Sequence, residues 1–98
     1  MISEKAIKQW AVKLDFVNGS SVDLTTERLE ELVGILYSDL AWDIVPSTKE
    51  TIGEIQLTIS VLCLQLGVDV NECKELAFNK YKNCKGKMVD GSYVEEER

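Results

Sequence analysis

The feature that most constrains this chain is a segment between Ser47 and Gly67 that is apolar on nearly every side of a helix. Its core repeat alternates spacings of three and four residues, and further apolar side chains widen the stripe. The repeat is Ile52, Ile55, Ile59, Leu62 and Leu66, and the widening residues are Leu57, Val61, Cys63 and Leu64. Such a helix must be covered on more than one side. In a chain of 98 residues we therefore expect a homodimer or homotetramer.

This apolar segment is not predicted to enter a membrane. Its most apolar stretch, Ile55 to Leu66, is interrupted by polar residues and is shorter than the ~20 apolar residues that a membrane span needs. It is therefore expected to be the third of four helices. The first helix is predicted over 3–14 with Ser3 as N-cap, and the second over about 25–41. Ser47 and Glu50 have the spacing of a capping box, which predicts the start of the third helix.

The chain after the third helix is also well marked. Gly67 ends that helix, and Asp69 is expected to cap a fourth helix that runs to about residue 83. Three of its residues are predicted to face inward: Leu76, Ala77 and Tyr81. The Asp90-Gly91 pair indicates a tight hairpin, and 95–98 are expected to form a flexible tail. The predicted fold class is all-α: one domain over 1–98, a four-helix-type bundle with a short C-terminal hairpin.

Composition excludes several function classes. The chain has 11 Lys and Arg against 17 Asp and Glu, so its net charge is −6, and it has no histidine. Histidine-dependent nucleophile pairs and zinc motifs are therefore excluded, and general nucleic-acid binding is disfavoured. A multivalent cation is the more natural partner. Three cysteines without a CxxC pair are typical of a reduced, cytoplasmic protein.

Acidic residues recur one helical turn apart, as Glu27 with Glu31 and as Glu50 with Glu54. Like charges at this spacing repel unless a cation lies between them. One interpretation is therefore a magnesium site between two antiparallel helices, and the other is an ordinary solvated face. Lysines gather at the end of the fourth helix and beyond it, where they either complement the helix dipole or contact phosphate. The members of this group are Lys80, Lys82, Lys85 and Lys87.

Four stretches, 2–11, 51–54, 61–69 and 85–94, give the chain a resemblance to a known family. It resembles the MazG-like nucleotide pyrophosphohydrolases, relatives of the all-α dimeric dUTPases that are common in phages and bacteria. The resemblance implies a MazG-like bundle whose carboxylates hold Mg²⁺ against a nucleoside triphosphate. Water then cleaves between the α- and β-phosphates. The last stretch resembles the short, phage-type members.

The acidic motifs of that family are incomplete in this chain. Aligned through Gly34, the first motif keeps Glu31 but has Leu32 and Ile35 where the family has acids. An alignment through Glu30 and Glu31 instead keeps two acids and puts Gly34 at the third. The second motif keeps Glu54 and has Thr51 in place of a glutamate, and Cys84 stands where the family usually has an arginine. The resemblance thus leaves Glu31 and Glu54 as metal ligands, and a neighbouring acid could replace a missing one. The candidates for this rescue are Glu27, Glu30 and Glu50, and those for contact with a nucleotide or its phosphates are Asn79, Lys82, Lys85 and Lys87.

The function expected from these residues is that of a pseudoenzyme. Such a protein keeps the MazG-like scaffold and regulates by binding a nucleotide, a signalling nucleotide or a host protein. If it is phage-encoded, it acts in the host cytoplasm, and a role against host defence follows from the resemblance alone. The alternative is an active Mg²⁺-dependent pyrophosphohydrolase that converts NTP or dNTP to the monophosphate and pyrophosphate.

Overall fold

Four helices follow one another along the chain and a two-stranded hairpin ends it, in a computed structural model that describes residues 1–96. The helices are α1 (Glu4–Lys13), α2 (Val22–Ala41), α3 (Val45–Leu66) and α4 (Val70–Lys82). The strands β1 (Gly86–Val89) and β2 (Ser92–Glu95) pair antiparallel, with Gly86 opposite Glu95. The prediction of a mostly helical chain with a terminal hairpin is confirmed.

Local capping signals place three of the helix ends where they were predicted. The Ser3 side chain accepts a hydrogen bond from the Ala6 amide at 3.2 Å and begins α1. The Asp69 carboxylate accepts from the Asn71 amide at 2.7 Å and begins α4. Gly67 ends α3 in the left-handed conformation, with φ of 70°, which costs a residue without a Cβ almost nothing.

The start of α3 corrects the predicted capping box. The helix begins at Val45, with Pro46 in its first turn, and Ser47 makes no cap. Proline suits this position because its fixed φ is helical and its missing N–H has no partner there to lose. Ser47 therefore lies inside the helix, and its hydroxyl donates to the Asp39 carboxylate on α2 at 2.7 Å. Glu50, the other half of the predicted box, is exposed.

The start of α2 also precedes its predicted position of about 25. Ser21 is the N-cap, and its side chain accepts from the Leu24 amide at 3.2 Å. The hairpin turn is as predicted, because Asp90 and Gly91 both have positive φ, 51° and 81°.

The tail begins later than predicted. Glu95 ends β2, and the Glu96 amide donates to the Lys85 carbonyl at 2.6 Å. Both residues therefore belong to the end of the hairpin. The remaining part of the predicted tail, 97–98, lies outside the described residues.

Packing centres on α3. After a turn at Asp43, which has φ of 55°, α3 folds back along α2. α1 and α4 also pack on α3. The buried apolar residues are few: Ile7, Ala11, Leu32, Val61 and Cys63. The prediction that α4 turns Leu76, Ala77 and Tyr81 inward is wrong for the single chain. α4 buries none of its residues, and Leu76 is 74% exposed.

The single chain is extended for its size. Its radius of gyration is 16.4 Å, whereas about 13 Å is usual for 100 residues. It exposes 8086 Å², whereas a folded monomer of this mass exposes ~5,600 Å². Within residues 1–96 no single helix is long and apolar enough to cross a membrane. Only α3 and α4 taken together reach that composition, and they meet at a bend of 106°.

Candidate functional site

Glu31 and Glu54, the two acids that the resemblance predicts as metal ligands, both contact Arg28 of α2. The Arg28 guanidinium contacts Glu31 Oε2, one turn further along α2, at 3.1 Å. Its other terminal nitrogen contacts Glu54 Oε2 on α3 at 3.2 Å. Glu31 and Glu54 thus share one positively charged partner, the side chain of Arg28.

The two ion pairs of Arg28 with Glu31 and Glu54, called the Arg28 bridge below, contribute little to stability. All three side chains are about half exposed, and an ion pair at such a surface contributes ~0–1 kcal/mol. A divalent cation approaching Glu31 and Glu54 would have to displace this guanidinium. Because the ion pairs are weak, their displacement lowers metal affinity only modestly. Whether a metal binds here therefore depends more on the number of carboxylates near Arg28.

The other motif positions provide no carboxylate near Arg28. Leu32 is only 2% exposed and belongs to the core, while Ile35 is 43% exposed. Thr51 is buried, and its hydroxyl donates to the Asp39 carboxylate at 3.2 Å. In the described part of the chain no three His, Cys, Asp or Glu side chains are grouped so that they could hold a metal ion.

The three acids considered as replacements lie on helix surfaces. They are Glu27 and Glu30 on α2 and Glu50 on α3, and all are exposed. Within residues 1–96 none of them joins Glu31 and Glu54 in a group of three acids. The predicted rescue of the metal site therefore stays a prediction.

Asp39 is a buried carboxylate that the sequence analysis did not single out. It accepts hydrogen bonds from the hydroxyls of Ser47 and Thr51, which fastens the end of α2 to the start of α3. A signal for it exists in the sequence, because Asp39 follows Leu32 by seven residues and so shares its face of the helix. Arg28 was missed for a different reason: its partner Glu54 is on another helix.

The residues predicted to contact phosphate lie in another region of the chain. Asn79 and Lys82 are on α4, Lys85 is in the loop after it and Lys87 is in β1. Among the described helices α4 packs only on α3, and β1 pairs with β2. The hairpin lies near the end of α4, where the rings of Tyr81 and Tyr93 are edge-to-face, with centroids 6.4 Å apart.

A cavity of about 320 Å³ opens beside the Arg28 bridge. Trp10 and Phe16 form one wall, with their rings in an edge-to-face contact and their centroids 5.0 Å apart. Arg28 lies at the same cavity, together with Leu24 and Thr58. An aromatic wall with polar groups beside it suits a flat polar ring.

Comparison of the chain with models of known protein families, with curated proteins and with solved structures gives no match.

Proposed function

We propose that the chain is a MazG-like domain that binds a nucleotide without hydrolysing it efficiently. The proposal combines the resemblance of four stretches of the sequence with the geometry between α2 and α3. A regulatory role during phage infection is the biological setting that the resemblance suggests.

The Arg28 bridge is the observation that carries this proposal. Mg²⁺ needs near-octahedral oxygen ligands, and the family chemistry depends on several positioned carboxylates. Here Glu31 and Glu54 are already neutralised in part by Arg28, at 3.1 and 3.2 Å. The core position of Leu32 removes a further ligand. One guanidinium and two carboxylates leave this bridge with a net charge of about −1, which is too little free carboxylate to position Mg²⁺ and activate water.

The cavity beside Arg28 supports nucleotide binding. Its volume of about 320 Å³ is near the lower end of the ~300–1,000 Å³ of small-molecule sites. A base or nucleoside fits there against Trp10 and Phe16, and the phosphates would lie outside the cavity. Mg²⁺ bound with the nucleotide, held by Glu31 and Glu54, is a weak additional ligand in this proposal.

A second subunit is part of the proposal. The ~5,600 Å² usual for a folded monomer of this mass is about 2,500 Å² less than the 8086 Å² that the chain exposes. On two chains this excess comes to ~5,000 Å² in total, at the upper end of the ~2,000–5,000 Å² that obligate subunits bury together. The exposed apolar residues of α4 contribute to it. Association would also decide whether Lys82, Lys85 and Lys87 approach the phosphates of a nucleotide bound by another subunit.

Two measurements on the full chain test binding separately from catalysis. Tryptophan fluorescence in a Trp42→Phe background reports on Trp10, and ribo- and deoxyribonucleoside triphosphates are added with Mg²⁺. We expect quenching at micromolar to millimolar concentrations for at least one nucleotide. The Trp42→Phe exchange is not expected to alter the binding site, because Trp42 is 78% exposed and does not line the cavity. No quenching by any of these nucleotides would contradict the proposed binding site.

Pyrophosphate release is the second measurement. The unaltered chain with Mg²⁺ or Mn²⁺ is expected to turn over each nucleotide far below ~1 s⁻¹, the lower end of ordinary enzymatic rates. Turnover at or above that rate, abolished by Glu31→Gln or Glu54→Gln, would replace this proposal with the active pyrophosphohydrolase. Loss in Glu27→Gln or Glu50→Gln instead would show that the acid set has moved along the helices.

A further inference from the structure

An apolar stripe runs along the second half of α2, on a side of the helix that the described chain leaves exposed. Val33, Tyr37 and Leu40 are each more than half exposed. Their spacing of three and four residues places them on one side of the helix, together with the exposed Gly34 and Ala41. These five residues are called the α2 stripe below. The residues that α2 buries share another side, which packs against α3.

Gly34 lies within the α2 stripe, and its own chain does not require a glycine there. Outside the neighbouring backbone, no atom in residues 1–96 lies within 4 Å of a Cβ built on Gly34. The single chain would therefore accept an alanine at this position, and alanine favours a helix more than glycine does. The missing side chain leaves a gap in the stripe, one helical turn before the large ring of Tyr37.

We propose that α2 of a second copy of this chain packs antiparallel on the α2 stripe, with Tyr37 of each copy over Gly34 of the other. A two-fold axis between these positions makes the two contacts equivalent, as in a closed dimer. A large residue opposite a small one lets two helices pack closely, because the ring fills the gap. The inference rests on the second subunit of the proposed function and does not depend on nucleotide binding.

The charges of α2 favour this orientation. Its first half, 22–31, carries four acids and one arginine. Its second half, 32–41, carries Asp39 alone, and that carboxylate is buried. Antiparallel packing places the acidic half of each copy beside the uncharged surface of the other, and it also opposes the two helix dipoles. Parallel packing would bring the two acidic halves together, which repels.

The exposed area of the chain also favours a second copy as the occupant. The chain exposes about 2,500 Å² more than is usual for a folded monomer of its mass. A stable interface buries ~800 Å² on each partner. Contact along α2 therefore uses part of this excess, and the exposed residues of α4 lie outside it.

The first test places the same charge on two sides of α2 in the full chain. Residues two apart in a helix point about 200° away from each other. Val33→Glu therefore lies in the stripe, and Ile35→Glu, the matched control, lies outside it. Both positions are about half exposed in the single chain, so both variants should fold, which far-UV circular dichroism checks.

Sedimentation then measures association of these variants. Val33→Glu is expected to dissociate at a protein concentration about tenfold higher or more than the unaltered chain, because the contact would bury an unpaired carboxylate. Gly34→Leu should have the same effect, since it fills the gap that Tyr37 of the other copy occupies. Ile35→Glu should associate like the unaltered chain.

Cross-linking is the second test, and it reports the orientation of the two helices. With Gly34 beside Tyr37 in an antiparallel pair, Glu30 of one copy lies beside Ala41 of the other. A mixture of Glu30→Cys and Ala41→Cys chains should therefore form a linked pair on mild oxidation, whereas Glu30→Cys alone should not link to itself. The unaltered chain, with its own three cysteines, is the control.

The possible failures are distinguishable. A monomer alone for the unaltered chain at micromolar concentration would overturn this inference together with the second subunit of the proposed function. Equal association of Val33→Glu and Ile35→Glu would overturn the α2 contact and leave the second subunit on another surface. Self-linking of Glu30→Cys would overturn the antiparallel orientation. Neither test contains a nucleotide, so a failure of the nucleotide site would not change these results.

Discussion

Leu32 is the position where the predicted MazG-like motif and the core of this chain conflict most directly. It is the largest fully buried side chain, at 2% exposure, although the resemblance aligns it with a metal-binding glutamate. Leu32→Ala is expected to lower the free energy of unfolding by about 2–5 kcal/mol, from lost burial and the cavity left behind. A domain of this length has about 5–15 kcal/mol in total. The variant should therefore fold with a much lower urea midpoint.

Leu32→Glu should not fold at all. It loses the same apolar burial and places a carboxylate in the core without a cationic partner, which costs several kcal/mol more. Restoring both missing acids, Leu32→Glu together with Ile35→Glu, is therefore expected to give an unfolded protein rather than an active one. Ile35→Glu alone is the matched control, because that side chain is 43% exposed and glutamate favours helix.

Urea unfolding followed by far-UV circular dichroism measures all four variants. Ile35→Glu is expected within about 0.5 kcal/mol of the unaltered chain, as is usual for exposed positions. If Leu32→Glu unfolds at the same urea concentration as Ile35→Glu, then position 32 reaches solvent. The core assignment of Leu32, and with it the argument that this position cannot supply a ligand, would be wrong.

Four further outcomes are expected. Sedimentation should show a dimer or larger at micromolar concentration. A monomer alone would contradict the prediction that another subunit covers the exposed apolar residues of α4. Gly34→Ala should stabilise the isolated chain by about 0.5–1 kcal/mol, since nothing lies within 4 Å of the added Cβ. Gly67→Ala should instead destabilise the chain, because Gly67 has φ of 70°. Loss of stability in Gly34→Ala would place another subunit against that glycine. Asp39→Ala should cost about 1–3 kcal/mol in urea unfolding because it leaves two donors unpaired, and Asp39→Asn should cost less. Iodoacetamide should label Cys63 more slowly than Cys73 below pH 9, and the Cys63 rate should keep rising above it, because the pKa of that thiol lies above its ordinary value of 9.0.

The parts of the fold that were predictable from sequence are those that depend on a few neighbouring residues. Ser3, Gly67 and Asp69 end or begin helices through their own backbone and side-chain groups, and Asp90 with Gly91 makes its turn in the same way. These signals work without knowledge of the rest of the chain.

Two of the errors involve partners on other helices. Ser47 has the spacing of a cap, but the Asp39 carboxylate on another helix takes its hydroxyl and Pro46 starts the helix earlier. Arg28 was overlooked because its bridge to Glu54 spans two helices. Which of two compatible partners a polar side chain chooses is decided by tertiary packing, and a pattern within one helix does not contain that information.

Because α4 buries none of its side chains within its own chain, dilution is expected to affect its helicity. A 13-residue helix is close to the length below which an isolated helix is marginal in water, about 12–15 residues. Since α4 gains no buried side chain from its own protomer, its helicity depends on what covers it. If the chain associates as predicted, ellipticity at 222 nm should fall on dilution as subunits separate, while the α2–α3 pair stays folded. Helical content would then be a direct measure of assembly.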